Sequence, residues 1–106
     1  MPTLSTHVLD AALGTPAAGL AVDLVDTDGA LLESATTDAD GRIAWSVAPE
    51  PAVVRLQFAT GPWFGAAGRD TFYPAVEVTV GLSAEPAHAH VALLLSPFAY
   101  TTYRGS

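Results

Sequence analysis

The sequence of 106 residues contains no cysteine. Disulfide bonds, Cys-ligated zinc and a thiol nucleophile are therefore excluded, and the fold has to be stabilised by packing. The sequence also lacks an apolar run of the roughly 20 residues that span a bilayer, and its first residues, MPTLSTH, have neither the basic nor the apolar region of a signal peptide. We therefore expect a soluble, cytoplasmic protein that does not associate with membranes.

Positive charge is scarce. Four arginines and no lysine stand against eleven acidic residues, which gives a formal net charge of −7. A surface with this charge repels nucleic acid and anionic lipid, so neither is expected as a partner. The acidity itself is typical of a solvated surface that keeps a hydrophobic protein in solution.

Short strands separated by turns account for most of the sequence. Strand-like composition or alternation occurs in LSTHVLDA, AVDLVD, ALLESATT, RIAWSV, VVRLQFAT, AVEVTVGL, HAHVALLLS and FAYTTYR. TDG and DADG are turn signals, GTPAAG is expected to interrupt regular structure, and GPWFGAAG could hold one short helix or a loop. The pattern predicts a single all-β domain over residues 1–106, a β-sandwich of about eight antiparallel strands, arranged as a meander, with one short helix.

All three histidines lie on strand faces that are not part of the predicted core. Residues two apart in a strand share a face, so His7 shares one with Ser5, and the positions between them form the other face. In HAHVALLLS the same rule places His88 and His90 opposite a wholly apolar face. The histidine faces should therefore point toward solvent or toward a partner subunit.

The residues alone leave several interpretations of these polar groups open. A strand histidine can be a solvated bystander, and the spacing of His88 and His90 also suits two ligands of one metal ion, with His7 as a third. Arg42 directly follows the DADG turn, where an arginine is normally just solvated. Arg104 belongs to a terminal YRGS segment, and a tail of this composition would ordinarily fray.

Five motifs occur in a characteristic order along the chain: STHVLD, the G-x-PA turn, TDADGR, HAHV followed by LLLSP, and the terminal TYRGS. With them the chain resembles the 5-hydroxyisourate hydrolases over nearly its whole length. The YRGS ending is the most specific motif, because transthyretins share the fold and bind thyroid hormone but lack this ending. The resemblance implies a transthyretin-like (prealbumin-like) sandwich assembled as a homotetramer, a dimer of dimers, with active sites in the channel between the dimers.

The resemblance also implies a reaction and the residues that perform it. The reaction is hydrolytic opening of the 5-hydroxyisourate ring at its N1–C6 amide bond, a cyclic amidohydrolase step of urate breakdown that yields 2-oxo-4-hydroxy-4-carboxy-5-ureidoimidazoline. The matching catalytic residues are His7 and His90, which would exchange protons with water and the leaving nitrogen, and Arg42, which would hold the oxyanion. It remains open which histidine is the base. No metal or other cofactor is implied.

The terminal tail is expected to become ordered only by docking in the channel beside the two catalytic histidines. The residues expected to bind substrate are Tyr103, Arg104, Ser106 and, with a weaker tie to the chemistry, His88.

The chain departs from the family beside the histidines. The family usually has tyrosine between the paired histidines and proline two residues after the second, where this chain has Ala89 and Ala92, and TNADGR is here TDADGR. Ala92 shares a face with His90, so we expect a roomier channel wall.

Two other functional classes are alternatives to the hydrolase. A non-catalytic carrier of small molecules on the same scaffold is disfavoured by His7, Arg42 and the YRGS ending. A structural module for protein contacts would leave the placement of the three histidines a coincidence.

Overall fold

The structure, a computed structural model, describes residues 3–46, 52–83 and 87–105. Within these ranges the chain forms nine strands and one helix, and the strands make up two sheets that pack face to face. The elements are β1 (Thr3–Asp10), β2 (Thr15–Pro16), β3 (Ala21–Asp26), β4 (Leu31–Thr36), β5 (Arg42–Ala44), β6 (Val53–Phe58), α1 (Thr60–Ala66), β7 (Val76–Gly81), β8 (His88–Ser96) and β9 (Ala99–Gly105). No helix in the described ranges is long and apolar enough to cross a membrane.

The two sheets differ in how their strands pair. One sheet, here called the front sheet, has the order β2-β1-β8-β9, with β5 also paired to β1. The other, the back sheet, has the order β4-β3-β6-β7 and is antiparallel throughout. In the front sheet β1 and β8 run parallel, from Thr3 opposite His88 to Asp10 opposite Leu95. This pairing places the histidines of two distant segments side by side.

The core lies between the sheets and is filled by the apolar side chains that point inward at alternate positions of each strand. Each fully buried Val, Leu or Phe side chain stabilises the fold by about 1.5–3 kcal/mol. A buried polar group, Thr6, accepts a hydrogen bond of 3.0 Å from the indole Nε1 of Trp45 and so is not left without a partner. Buried core residues include Leu4, Val8, Val91, Leu93 and Leu95 of the front sheet, Val22, Leu24, Val54, Leu56, Phe58, Val76 and Val78 of the back sheet, and Phe64 of α1.

A buried ion pair joins the end of β1 to the segment after α1. The carboxylate of Asp10 lies 2.6 Å from the Arg69 guanidinium and accepts two backbone hydrogen bonds of 3.0 Å, from Ala12 and Leu13. Burial alone would raise the pKa of this carboxyl, but the Arg69 contact and the two N–H groups outweigh burial, and the pKa is lowered. The aspartate of the STHVLD motif therefore fixes the end of the strand that carries His7.

The predicted all-β sandwich with one short helix is confirmed, and the helix lies in the segment where a helix or a loop was expected. Two details differ from the expectation. GTPAAG contains the short strand β2, and its Pro16 is tolerated because β2 ends the sheet order. The strands also do not form a simple antiparallel meander, since β1 lies beside β8 and pairs with it in parallel.

Candidate active site

The three histidines project from the outer face of the front sheet, away from the core, as alternation predicts. Along β1 the residues that include Ser5 and His7 are partly exposed, and the residues between them are buried. Along β8, His88 is exposed and His90 is half-buried, whereas the next residue, Val91, is buried against the back sheet. The outer face of the front sheet therefore carries every imidazole of the protein.

Strand pairing places Arg42 beside His7. The two residues are directly opposite each other in the antiparallel pair of β5 and β1. Opposite side chains in such a pair share a face, with their Cβ atoms about 4.5–5.5 Å apart. On its other side, His7 is opposite Ala92 of β8, two residues after His90. The sequence-predicted catalytic residues His7, Arg42 and His90 thus lie on one face of three adjacent strands.

The DADG turn fixes the position of Arg42. The Asp38 carboxylate accepts 2.9 Å hydrogen bonds from the backbone N–H groups of Asp40 and Arg42. The N–H of Arg42 is the main reason that the pKa of Asp38 is lowered, and the charges of Arg42 and His7 act in the same direction. Gly41 has a φ of 75°, and a Cβ there would overlap the Val8 carbonyl oxygen. This position therefore needs glycine, so that the turn can lie against β1.

The hydroxyl of Ser5 connects His88 and His90, and a second hydroxyl, that of Thr3, contacts His88; the sequence pattern did not indicate either role. Ser5 Oγ lies 2.7 Å from Nδ1 of His90 and 3.0 Å from Nε2 of His88. Thr3 Oγ1 lies 2.6 Å from Nδ1 of His88. Alternation had placed Ser5 on the face of His7, but its contacts with β8 depend on the parallel register, which the sequence did not reveal.

The ring of His90 packs against the backbone of Gly105 on β9. A Cβ at position 105 would overlap the ring and would lie 3.4 Å from Nε2. Burial lowers the pKa of His90, and the positive charges of Arg42, His7 and His88 lower it further. His90 is therefore mainly the neutral free base at pH 7, which is the state that can accept a proton from water.

The sequence-predicted tail residues are divided between the two faces of β9. Tyr103 is opposite Ala92, on the histidine face, and is 54% exposed. Arg104 is opposite Val91, on the other face, and its guanidinium Nη2 lies 3.5 Å from the His88 carbonyl oxygen. Ser106 lies outside the described residues. The tail was expected to order only by docking, but Tyr103 to Gly105 are ordered by pairing with β8 in the same chain.

A cavity of about 310 Å³ lies beside the tail. Its walls include Val80 of β7, Val91 of β8 and Arg104 of β9. Val91 belongs to the core, so the cavity opens between the edges of the two sheets. His90 and Tyr103 also line the cavity, although their strand positions are on the outer face. The structure therefore brings three of the predicted site residues to this cavity.

Metal ligation was one interpretation of the histidines. Across residues 3–46, 52–83 and 87–105, no group of three or more His, Asp or Glu side chains is arranged to hold a metal ion. The facing nitrogens of His88 and His90 both contact the hydroxyl of Ser5 instead. Independence from metal remains a prediction for a chelation experiment.

Residues 4–105 match the HIUase/Transthyretin family. The chain belongs to this family. The 5-hydroxyisourate hydrolase of Caulobacter vibrioides is 44% identical, with 100% of each chain covered. The structure of Klebsiella pneumoniae 5-hydroxyisourate hydrolase matches with a TM-score of 0.92 at 37% identity, again with 100% of each chain covered. Sea bream transthyretin, solved in complex with thyroxine, matches with a TM-score of 0.87 at 33% identity and covers 96% of this chain and 93% of its own. Since the family includes both hydrolases and transthyretins, the shared fold alone does not separate catalysis from carriage.

Proposed function

We propose that this chain is a 5-hydroxyisourate hydrolase that opens the substrate ring at the N1–C6 amide bond. The observation that carries the proposal is the shared outer face of His7, Arg42 and His90, in which a neutral imidazole lies close to a permanent positive charge. The relatives named as hydrolases support it, because one reaches 44% identity over the whole chain, against 33% for sea bream transthyretin. A carrier would have no use for an imidazole held in its free-base form.

His90 is the base in this mechanism. Its Nδ1 contacts Ser5, and Nε2 is the nitrogen left to face the substrate side. Nε2 takes a proton from water as the water oxygen attacks C6 of the substrate. Because the lowered pKa of His90 keeps this nitrogen unprotonated at pH 7, the base is ready without prior loss of a proton.

Arg42 and His7 act on the other atoms of the amide. Arg42 stabilises the negative charge that develops on the carbonyl oxygen, a task that suits a planar, permanently charged group. His7, in its protonated form, donates to N1 as the C6–N1 bond breaks, so N1 departs as the neutral NH2 end of the ureido group. Water attacks directly, and no covalent intermediate forms on the protein.

A second subunit supplies the missing wall of the site. The histidine face is open, with His88, Arg42 and Tyr103 exposed. A ring-opening reaction needs a concave site from which bulk water is excluded, and a symmetric assembly can provide one. We assign the chain to a homotetramer, a dimer of dimers, in which Tyr103 and the end of the chain line the channel. Light scattering should give a mass near four times 10.9 kDa.

The decisive experiment supplies the unstable substrate in place. Urate oxidase converts urate to 5-hydroxyisourate, and the ultraviolet absorbance of the product is then followed with and without this protein. We expect the decay to accelerate in proportion to protein concentration. A carrier would bind the compound without consuming it, so a decay that is unchanged or slowed would refute the proposal.

A further inference from the structure

An unbroken series of side-chain contacts leads from His90 to the exposed edge of the histidine face. Nδ1 of His90 contacts Ser5 Oγ at 2.7 Å, Ser5 Oγ contacts Nε2 of His88 at 3.0 Å, and Nδ1 of His88 contacts Thr3 Oγ1 at 2.6 Å. Two imidazoles and two hydroxyls thus alternate along one line. The parallel pairing of β1 with β8 produces this arrangement, because it places Thr3 opposite His88 and Ser5 opposite His90.

The single hydroxyl proton of Ser5 couples the two imidazoles. A hydroxyl has one proton to donate and two lone pairs that accept, and a neutral imidazole has one N–H and one acceptor nitrogen. Ser5 can therefore donate to only one of the two rings. If Ser5 donates to His88, then His90 donates to Ser5 and His88 carries its own proton on Nδ1. If Ser5 donates to His90, then Nε2 of His88 donates to Ser5, and if it donates to neither, both rings donate to Ser5.

The base role of His90 rules out the state in which Ser5 donates to His90. Among the described residues, Nδ1 of His90 has Ser5 as its partner, and no hydrogen bond occupies Nε2. A base at Nε2 must carry its proton on Nδ1, so His90 donates to Ser5, and the state that a proton transfer uses is the one in which Ser5 in turn donates to Nε2 of His88. His88 then carries its own proton on Nδ1 and donates to Thr3.

We propose that Ser5 is a relay that passes the proton taken up by His90 to His88; this inference rests on the hydrolase function proposed above. When Nε2 of His90 takes a proton from water, the proton on its Nδ1 moves to Ser5 Oγ, and the original hydroxyl proton moves to Nε2 of His88. His90 ends as a neutral imidazole and His88 as an imidazolium. No proton is gained or lost, and reversal of the same steps returns the proton.

The surroundings of the two rings favour this direction of transfer. His90 is half-buried, and the charged or titratable groups that face it are His7 from β1, Arg42 from β5 and His88 from its own strand. From β9 it meets the backbone of Gly105; Tyr103 lies on the same face, opposite Ala92, and Arg104 lies on the other face. Burial and the charge of Arg42 lower the pKa of His90. Arg42 is opposite His7, and His7 is opposite Ala92, so His88 lies two residues farther than His90 from the strand position of Arg42. The relay thus moves a cation away from the half-buried position nearer Arg42.

Three variants separate a relay from a purely structural hydroxyl. Ser5→Ala removes the link, Ser5→Thr keeps a hydroxyl at the same strand position, and Ser34→Ala is a matched control that removes an exposed serine–aspartate hydrogen bond of 2.7 Å on the back sheet. We expect Ser5→Ala to lower kcat roughly 10- to 100-fold, a part of the 10²–10⁴ that an acid–base group contributes. Ser5→Thr should retain most of the activity, and Ser34→Ala all of it.

A second measurement reads the proton positions without any substrate. The chain has three histidines, so the ¹⁵N chemical shifts of their six ring nitrogens can be assigned and each tautomer identified. We expect wild-type His90 at neutral pH to carry its proton on Nδ1, and Ser5→Ala to produce a mixture of tautomers. A wild-type His90 protonated on Nε2, or a tautomer unaffected by Ser5→Ala, would overturn the proposal.

His88 distinguishes transfer from mere positioning of His90. His88→Ala should lower kcat to a similar extent as Ser5→Ala, and added imidazole should restore part of the loss. If Ser5→Ala slows the enzyme but His88→Ala does not, Ser5 only orients His90 and the relay is wrong. If the wild-type protein does not hydrolyse 5-hydroxyisourate at all, the proposed function fails, and the tautomer measurement still decides whether Ser5 couples the two rings.

Discussion

Loss of the ion pair between Asp10 and Arg69 should destabilise the fold without touching the chemistry. The Asp10 side chain is 1% exposed and its partner 23%, with 2.6 Å between their charged atoms. Asp10→Asn keeps an oxygen for the two backbone N–H groups of the turn but places an amide N–H against the guanidinium. The substitution therefore removes the charge pair and largely preserves the turn.

The size of the effect follows from this geometry. Removing one partner of a buried ion pair costs about 3–5 kcal/mol, because the other charge is left without compensation. Arg69 is partly exposed and can still reach water, so we expect the lower end, about 3 kcal/mol. For a chain of this length, this loss lowers the melting temperature by roughly 10 °C or more. Catalytic turnover below the unfolding transition should stay near that of the wild type, since Asp10 faces the core side of β1.

Denaturant unfolding should be compared at one fixed chain concentration, so that subunit association contributes equally to every variant. A double-mutant cycle of Asp10→Asn with Arg69→Met isolates the coupling energy of the ion pair. Arg69→Met also removes the cation–π contact between Arg69 and Phe64, at 4.9 Å, but this loss occurs with and without Asp10 and therefore cancels. The pKa of Asp10 is lowered in the folded state, so its contribution is complete above the unfolded value of about 3.9 and is lost as pH falls through the folded value. A coupling energy below about 0.5 kcal/mol, or an Asp10→Asn variant with the same acid dependence as the wild type, would refute this reasoning.

Four further predictions concern the site. His7→Ala and His90→Ala should each lower turnover about 10²- to 10⁴-fold while circular dichroism shows an intact fold, and near-normal turnover in both would refute the mechanism. The acidic limb of the kcat/KM profile should have its midpoint below about pH 6.5, because the pKa of His90 is lowered; a midpoint above that value would remove His90 as the base. Activity should survive prolonged chelator treatment, whereas a loss that zinc restores would make His88 and His90 ligands. Adding a bulky C-terminal tag should reduce activity while it leaves the melting temperature nearly unchanged, with an N-terminal tag as the control.

Alternation along each strand predicted which face of the sheet a side chain occupies. It placed His7 on the face of β1 that points away from the core, and His90 and Val91 on different faces of β8, and both predictions are confirmed. The same rule could have shown that Tyr103 and Arg104 cannot share a face of a strand. Although FAYTTYR was predicted as a strand, the resemblance grouped Arg104 with Tyr103 as residues that bind substrate, and the structure places the two on opposite faces of the sheet.

Contacts between distant segments could not be predicted from the residues alone. Thr3 and His88 are separated by 85 positions, and their contact depends on the parallel register of β1 and β8. If the register between β1 and β8 shifted by one residue, side chains that now share a face would point to different faces. The pattern within either strand therefore does not define which hydroxyl meets which imidazole. The link through Ser5 became visible only with the strand pairing. The resemblance to a family supplied the catalytic residues, but it did not supply this link.

The parallel pairing of β1 with β8 also constrains the order in which the protein can assemble on the ribosome. The strands of the back sheet lie between residues 21 and 81, so all of them are synthesised before β8. β1 emerges first of all, yet the strand that pairs with one of its edges, and carries both remaining histidines, is made more than 80 residues later. Until then β1 can pair only with β2 and β5, and pairing over such a long sequence separation is slow. The nascent chain therefore carries a first strand with one open edge until β8 has left the exit tunnel, and chaperone binding during synthesis should concentrate on that edge of β1.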